Sequence, residues 1–246
     1  MTTASSPAPV AVIMAGGRGH RMHPFTNAMP KALLPIGATI MLDVLVSQMH
    51  EAGCREVVIS LGFLAPVIRA YCAAHRSLRL PVRFVEEGSP LGTAGALALL
   101  DPRPEHVIVM NCDVLSDVRF ADMIRDHHAS GADLTILGVT HTHRLPYGVL
   151  EVNGRGSLSA WREGLEHRHV VAGGAYVIGE RALGLVNRDE RLDMPALVER
   201  VLQTGGSVHV YTRDVAWFDL GTIDSYNRGV EVFTASPERF GYVRAH

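Results

Sequence analysis

Val10-Ala-Val-Ile-Met-Ala-Gly-Gly-Arg-Gly19 is the stretch that decides the fold class of this 246-residue chain. Five apolar residues followed by a glycine cluster are typical of a buried parallel strand that leads into a loop. Glycines in such a loop let backbone amides approach a phosphate closely, because they carry no Cβ and adopt positive φ readily. The sequence therefore predicts an anion-binding loop at the carboxyl end of a first strand.

Strands and helices alternate downstream of this loop. The pattern predicts helices over residues 43–52, 66–74, 93–100 and 119–129, and strands over 56–60, 82–85, 106–110 and 133–139. Such alternation implies crossover connections. We therefore expect an α/β fold with a Rossmann-like, mainly parallel mixed sheet flanked by helices on both faces.

The pattern changes after Tyr147. Residues 149–152, 158–161 and 170–178 are predicted as antiparallel strands separated by turns such as Asn153-Gly154, and 195–203 and 224–233 as helices flanking an extended 207–211. No linker-like tract interrupts the chain. We expect a single domain over 1–246, with a nucleotide-binding half at about 8–145 and a small antiparallel substrate half at 146–235.

The amino-acid composition limits the classes of molecule that the chain is expected to bind and the compartment in which it is expected to lie. The chain has 23 basic and 25 acidic residues, which disfavours a nucleic-acid or membrane-surface binder. Cys54, Cys72 and Cys112 are odd in number and widely spaced, which indicates a reducing compartment rather than disulfides or a thiolate metal site. Residues 1–9 lack a leader pattern, and no apolar run approaches the roughly 18–20 residues of a membrane span. We expect a cytoplasmic protein.

The glycine loop matches neither of two well-known phosphate motifs. Met22 stands where a dinucleotide fingerprint needs its third glycine, and no Gly-Lys-Ser/Thr follows as in a Walker A loop. The run from Met14 to Met22, followed by Pro30-Lys31, resembles instead the signature of the sugar nucleotidyltransferase family (nucleotide-sugar pyrophosphorylases). Met22 replaces the usual Leu of that signature and His20 the usual Thr.

The resemblance implies a glycosyltransferase-A-like fold and assigns roles within the loop. Ala15, Gly16, Gly17 and Gly19 would bind the nucleotide phosphates. Arg21 would grip the triphosphate, and Lys31 would lie near the α-phosphate or the sugar phosphate. A guanidinium fork matches phosphate oxygens bidentately, and a lysine supplies a movable point charge, so both residue types suit these roles.

The segment from Glu86 to Leu97 closes a predicted strand and opens a helix, where parallel sheets collect ligands. By resemblance, Gly92 and Thr93 lie beside the nucleobase and Glu87 reaches its edge. A carboxylate satisfies the two adjacent donors of guanine, whereas uracil and thymine offer one donor flanked by carbonyls. This favours GTP and resembles the mannose or heptose 1-phosphate guanylyltransferase branches. Base reading by Glu86 or by backbone groups, and use of UTP or dTTP, remain alternatives.

Two aspartates are the candidate metal ligands. Asp113 ends an apolar strand, in a place where the family has Asn-Gly-Asp, and Trp217-Phe-Asp219-Leu-Gly-Thr222 resembles a later family motif whose aspartate is the second ligand. Magnesium prefers oxygen ligands and is commonly held by one or two carboxylates plus substrate phosphates. The resemblance therefore implies a Mg²⁺ cofactor that aligns the triphosphate with the sugar phosphate, whose ionised oxygen is the nucleophile.

The candidate sugar side matches the family only in part. Gly148, Glu163 and Gly174 match, but Gly164 stands at the place of a lysine that binds the sugar phosphate, and Ala172 at the place of an asparagine. A phosphate needs a cationic partner, so Arg162 or Arg168 is expected to replace the lysine.

Three functions follow from these patterns. The first is transfer of a nucleotidyl group from a nucleoside triphosphate to a sugar 1-phosphate. The losses at Gly164 and Ala172 keep open a catalytically weak nucleotide-sugar-binding regulator. A nicotinamide dehydrogenase is disfavoured by the missing third glycine. A homodimer is compatible with all of these.

Overall fold

A computed structural model describes residues 8–75 and 78–242. Seven of the nine residues in which we expected no leader, residues 1–7, lie outside the described residues. The strands are β1 (Val10–Met14), β2 (Pro35–Ile36), β3 (Thr39–Ile40), β4 (Glu56–Leu61), β5 (Val82–Glu86), β6 (His106–Asn111), β7 (Val114–Ser116), β8 (Leu134–Arg144), β9 (Val149–Val152), β10 (Leu158–Arg162), β11 (Glu166–Gly179), β12 (Val208–Thr212) and β13 (Trp217–Asp219). The helices are α1 (Met41–Glu51), α2 (Ala65–Ala74), α3 (Gly92–Gly95), α4 (Phe120–Ser130), α5 (Glu180–Gly184), α6 (Met194–Gln203) and α7 (Ile223–Ala235).

A seven-stranded sheet in the order β12-β8-β11-β6-β1-β4-β5 forms the centre of the molecule. The first strand runs parallel to both β4 and β6, and β12 runs parallel to β8. Only β11 is antiparallel to its neighbours in this sheet, so the sheet is mixed but mainly parallel. This confirms the predicted α/β architecture.

The strand predicted over residues 170–178 lies in a different place from the one expected. The strand is antiparallel, as predicted, and is longer than expected. As β11 it lies between β8 and β6 in the central sheet rather than in a separate substrate half. Residues 173–179 are buried, as in a strand covered on both faces. Outside the central sheet, three two-stranded sheets pair β9 with β10, β7 with β13, and β2 with β3.

The hydrophobic core forms two layers, one on each face of the sheet. Ala11 and Ile13 of β1 pack in one layer with α1, while Val10 and Val12 pack in the other with residues of α6. Successive side chains of a strand point to opposite faces, so one apolar strand supplies both layers. We call the layer that contains Val10 and Val12 the second layer.

The helix predicted over residues 93–100 is shorter than expected. One α-helical turn, α3, is followed by a 3-10 turn over Ala96–Leu99. A Cβ on Gly95 would lie 2.6 Å from the Glu190 carbonyl oxygen, so this segment packs tightly on a neighbouring loop.

Three short elements were not predicted from the sequence pattern. They are β7, β13 and α5, each of three to five residues.

No helix within the described ranges is long and apolar enough to cross a membrane.

A buried histidine couples the stability of the fold to pH. His127 of α4 is 2% exposed, and its Nδ1 lies 2.8 Å from Thr135 Oγ1. Burial, followed by the neighbouring His106, His128 and His209, lowers the pKa of His127 to about 4, whereas Asp133 acts in the opposite direction. Below pH 6.5 this histidine is therefore protonated in the unfolded chain but stays neutral in the native state. The free energy of unfolding decreases as the pH is lowered.

We expect this histidine to remove about 2 kcal/mol from the free energy of unfolding between pH 6.5 and 5. Urea denaturation at several pH values measures the loss. His127→Gln should show a shallower dependence, while His50→Gln, at an exposed position, should keep the wild-type slope. An unchanged slope in His127→Gln would exclude this residue as the source.

Candidate active site

The glycine-rich loop after β1 is tied to the loop after β4. The Ala15 amide donates to the Ser60 carbonyl (3.0 Å), and the Phe63 amide donates to the Gly16 carbonyl (3.1 Å). A Cβ on Gly62 would lie 2.7 Å from the Gly16 carbonyl oxygen, so the two loops touch through their backbones. Gly16 itself faces Glu87, whose Oε1 would lie 3.0 Å from a Cβ there.

Gly19 brings the loop against the segment that carries Lys31. It adopts φ +66°, and a Cβ there would lie 2.8 Å from Lys31 Cε and 2.9 Å from Thr26 Cγ2. Thr26 Oγ1 donates to the Gly19 carbonyl at 2.8 Å. A glycine is therefore required here both for the backbone angle and for the close approach of Lys31.

Lys31 and Asp113 form an ion pair at the carboxyl end of β6. Lys31 Nζ lies 2.6 Å from Asp113 Oδ2, and the two side chains are only 11% and 19% exposed. The strand positions Asp113 because its apolar residues are held in the centre of the sheet. The structure thus joins two predicted site residues that lie far apart in the chain.

Asp219 is brought to Asp113 by the short pair of strands β7 and β13. Asp219 lies opposite Val114, and the Leu220 amide donates to the Asp113 carbonyl at 2.8 Å. Arg21 Nη1 lies 3.7 Å from Asp219 Oδ2, with both side chains largely exposed. Each predicted metal ligand therefore has a basic partner, and the two acids occupy adjacent positions on paired segments.

A cavity of about 280 Å³ lies at this edge of the sheet. Most residues predicted for the nucleotide and for catalysis line it: Gly16, Gly17, Gly19, Lys31, Glu87, Gly92, Thr93 and Asp113. Ala15 is buried beside it, whereas Arg21 and Asp219 are not part of its lining. Asn111 also lines the cavity and was not among the predicted site residues, although a polar side chain at the end of an apolar strand is a signal for one.

The two adjacent glutamates at the cavity differ in their contacts. Ser60 Oγ donates to Glu87 Oε1 (2.7 Å), and the Leu91 amide donates to Oε2 (2.8 Å). Glu86 is exposed and pairs with Arg69 at 2.7 Å, and it does not line the cavity. The structure therefore favours Glu87 over Glu86 as the carboxylate that faces a bound ligand. Ser60, a fully buried polar residue in an apolar strand, was also missed.

The candidate sugar residues fall into two groups. Gly174 has φ +73° and a Cβ there would contact Val114 and Asn111, so it lies beside the acidic site. Gly148 and Glu163 lie on the β9–β10 hairpin: Gly148 packs against the Trp161 indole, whose Nε1 donates to Glu163 Oε1 at 3.2 Å. Neither of these hairpin residues lines the cavity.

Arg162, one of the two arginines expected to replace the family lysine, is paired with an acid in this structure. Its Nε donates to Glu151 Oε1 at 2.7 Å across the β9–β10 hairpin. Both side chains are exposed, so this is a surface ion pair. The antiparallel register, which pairs Glu151 with Ala160 and Val149 with Arg162, brings this acid and base together.

Within residues 8–75 and 78–242, no group of three or more His, Cys, Asp or Glu side chains is arranged to hold a metal ion. The three cysteines are free thiols, and burial raises the pKa of the Cys54 thiol to about 12, which disfavours its thiolate. Asp113 and Asp219 alone resemble the one or two carboxylates that suffice for a magnesium ion bound together with phosphates.

Known proteins share this sequence pattern and fold. The mannose-1-phosphate guanylyltransferase of Mycobacterium tuberculosis is 27% identical over 225 residues, covering 89% of this chain and 63% of that protein. The mannose-1-phosphate guanyltransferase of Schizosaccharomyces pombe is 27% identical over 240 residues, covering 92% and 64%. The chain thus spans a little less than two thirds of the length of these relatives.

Solved structures share the fold at lower identity. HddC from Yersinia pseudotuberculosis complexed with GMP-PN superposes with a TM-score of 0.72 at 21% identity, covering 92% of this chain and 99% of that one. A putative glucose-1-phosphate thymidylyltransferase from Bacillus anthracis, in complex with a sucrose, gives a TM-score of 0.73 at 17% identity, covering 92% and 96%. These neighbours have the glycosyltransferase-A-like fold that the resemblance implied. The model of the family described as nucleotidyl transferase matches residues 10–236, so the chain belongs to the nucleotidyl transferase family.

Proposed function

We propose that the chain transfers a nucleotidyl group from a nucleoside triphosphate to a sugar 1-phosphate and releases pyrophosphate. The observation that carries this proposal is the Lys31–Asp113 ion pair at the wall of a glycine-lined cavity, with Asp219 on the adjoining segment. The guanylyltransferase names of relatives that cover most of this chain support it. In this reaction the oxygen of the sugar phosphate attacks the α-phosphorus, and the bond to the β-phosphate breaks.

The chain's own residues would bind and orient the two anions. The Gly16, Gly17 and Gly19 backbone offers an approach without Cβ atoms, where phosphate oxygens accept hydrogen bonds from amides. Lys31, poised at 2.6 Å from Asp113, would turn toward the phosphates as a mobile cation. Arg21, largely exposed beside Asp219, would grip the departing pyrophosphate. Positioning and charge stabilisation then account for the catalysis.

The two aspartates fit a magnesium ion by the chemistry of their donors. Asp113 Oδ1 accepts no hydrogen bond from any described residue, and Asp219 Oδ2 has only the distant Arg21 contact at 3.7 Å. Carboxylate oxygens with free lone pairs are the ligands that magnesium prefers. When bound, the ion would neutralise phosphate charge and polarise the phosphoryl group. Asp113 and Asp219 would hold it.

We further propose that the base is guanine. Glu87 lines the cavity, and each of its oxygens uses one lone pair for Ser60 or Leu91 and keeps another for a ligand. A carboxylate held in this way matches the two adjacent donors of guanine and repels the carbonyls of uracil or thymine. The relatives named as guanylyltransferases support the same choice.

Glu87→Gln is expected to reduce the preference for GTP over UTP by about 10- to 100-fold, because it removes an ionised acceptor for the base. Glutamine can keep both internal contacts, with its oxygen facing Leu91 and its amide donating to Ser60, so the fold should persist. The ratio of kcat/KM for the two nucleotides measures the effect. Ser60→Ala is the control for a purely structural change, and an unaltered ratio in Glu87→Gln would show that Glu87 does not read the base.

Thermal protection tests the proposed pair of ligands. GTP with magnesium should raise the Tm of the wild-type protein, and a sugar 1-phosphate should raise it further. Protection by neither nucleoside triphosphates nor sugar 1-phosphates would contradict the proposal.

A catalytically weak nucleotide-sugar-binding regulator is the second candidate. The absence of a lysine at Gly164 and the pairing of Arg162 with Glu151 favour it, since both weaken the positive charge expected on the sugar side. Such a protein would bind the nucleotide and release no pyrophosphate.

A further inference from the structure

The guanidinium of Arg144 rests on the backbone of Gly164. Arg144 ends β8, and Gly164 lies in the turn between β10 and β11. Gly164 adopts φ +65°, and a Cβ there would lie 2.7 Å from Arg144 Nη2 and 3.2 Å from Nε. Any larger residue at position 164 would displace the guanidinium, so the absent side chain creates the place that Arg144 occupies.

The alternation of β8 directs Arg144 toward the face of the sheet that the second layer covers. Leu134 and Ile136 pack in the second layer, whereas Leu137 packs in the opposite one. Even-numbered residues of β8 therefore face the second layer, and Arg144 continues this series. The helical turn beside the cavity, which contains Ala94, packs in that same layer.

Strand direction places Arg144 beyond the same edge of the sheet as Asp113. The central strands β6 and β8 both run antiparallel to β11, which lies between them, so they are parallel to each other. Their carboxyl ends therefore lie at one edge. Asp113 follows the end of β6, and Arg144 is the last residue of the longer β8, which extends past that edge.

Arg144 carries a positive charge without an acidic partner. It is exposed and forms no ion pair with any residue in the described ranges. Glu166 lies opposite it in the β8–β11 register but does not form an ion pair with it. Arg162, by contrast, pairs with Glu151. Arg168, opposite Thr142 in the same register, is also exposed and forms no ion pair within the described ranges, but it lacks the contact with Gly164 that holds Arg144 in a defined place.

We propose that Arg144 binds the phosphate group of the sugar 1-phosphate; this inference rests on the proposed function. A guanidinium binds a phosphate monoester bidentately, which fixes both its position and its orientation. Glu163 immediately precedes Gly164. Its carboxylate accepts a hydrogen bond from the indole N–H of Trp161, a residue that is 61% exposed. The sugar ring would then lie against the indole, with its hydroxyls donating to the Glu163 carboxylate. Arg144 is a substrate-binding residue that acts at the anionic end of the acceptor.

Steady-state kinetics with the full chain test this assignment. Arg144→Ala should raise the KM for the sugar 1-phosphate by about 10- to 100-fold and leave the KM for the nucleotide within about 2-fold, because Arg144 does not line the nucleotide cavity. Arg144→Lys should recover only part of the loss, since an ammonium lacks the bidentate fork. Arg155→Ala, at the exposed turn of the nearby β9–β10 hairpin, is the control for lost positive charge and should behave as wild type.

A pair of glycine variants tests the contact itself. Gly164→Ala should raise the same KM by displacing the guanidinium. Gly156→Ala is the matched control: it also has positive φ (+80°) and lies in the same hairpin, but nothing is within 4 Å of its added Cβ. Equal effects of the two variants would show that backbone strain, and not displacement of Arg144, causes the change.

The outcomes separate this inference from the proposed function. Turnover by Arg144→Ala with an unchanged KM for the sugar 1-phosphate overturns the role of Arg144 and leaves the transferase function intact. If the wild-type protein releases no pyrophosphate, calorimetric titration with mannose 1-phosphate still decides: binding to wild type that is lost in Arg144→Ala supports the assignment. Equal binding to both proteins, or none to wild type, overturns it.

Discussion

Asp113→Asn is expected to lower kcat by about 10³-fold while the fold persists. The substitution removes the negative charge that lies 2.6 Å from Lys31 and weakens a carboxylate set of only two members. Asparagine has nearly the same shape, so the packing at the end of β6 should not change. Pyrophosphate release at saturating substrates measures kcat, and circular dichroism and Tm report on the fold.

The matched control is Glu86→Gln, which neutralises an exposed carboxylate paired with Arg69 just outside the cavity. It should retain wild-type kcat. Magnesium titration adds a second readout, since the apparent affinity for the ion should fall in Asp113→Asn and not in Glu86→Gln. Unchanged turnover of Asp113→Asn at limiting magnesium would remove Asp113 from the metal site.

Lys31→Ala is expected to lower kcat/KM by about 10²- to 10³-fold. The Lys31 side chain is only 11% exposed, at a place where a bound phosphate would be shielded from water, and its loss leaves Asp113 without its cation. Lys31→Arg should not restore activity, because Gly19 lies close against the lysine stem, where even a Cβ would be 2.8 Å from Lys31 Cε, and leaves little room for a guanidinium. Initial rates over a matrix of nucleotide and sugar phosphate concentrations give the value.

The double variant Lys31→Ala/Asp113→Asn tests whether the pair acts as one unit. Residues in direct contact are energetically coupled, so the combined loss should be smaller than the product of the two single losses. A loss equal to that product would indicate that the two residues act independently and that their ion pair has no part in turnover.

The parts of the fold that follow from local pattern could be predicted from the sequence. The apolar run of β1, the glycine cluster after it and the alternating strands and helices up to residue 139 are short-range signals, and the structure has them. The placement of β11 could not be predicted, because sheet order depends on contacts between β11, β6 and β8 that are distant in sequence. The three-residue strands β7 and β13 are too short for a period of two to be recognised.

The candidate site shows the same division. Family motifs located Lys31, Asp113 and Asp219, but their proximity depends on the β7–β13 pairing. The pairing of Arg162 with Glu151 could not be predicted, because it depends on the register of the hairpin. No pattern in the sequence indicated Arg144 as a site residue. Its position depends on the space left by Gly164, twenty residues later in the chain.

The most direct test of the account is to follow the α-phosphate. The wild-type protein is incubated with α-³²P-labelled GTP, magnesium and a panel of sugar 1-phosphates that includes mannose and heptose 1-phosphates. We predict that label appears in a GDP-sugar with at least one member of the panel, together with one equivalent of pyrophosphate. Binding of GTP without transfer of label to any sugar 1-phosphate, under conditions in which a known guanylyltransferase reacts, would contradict the account.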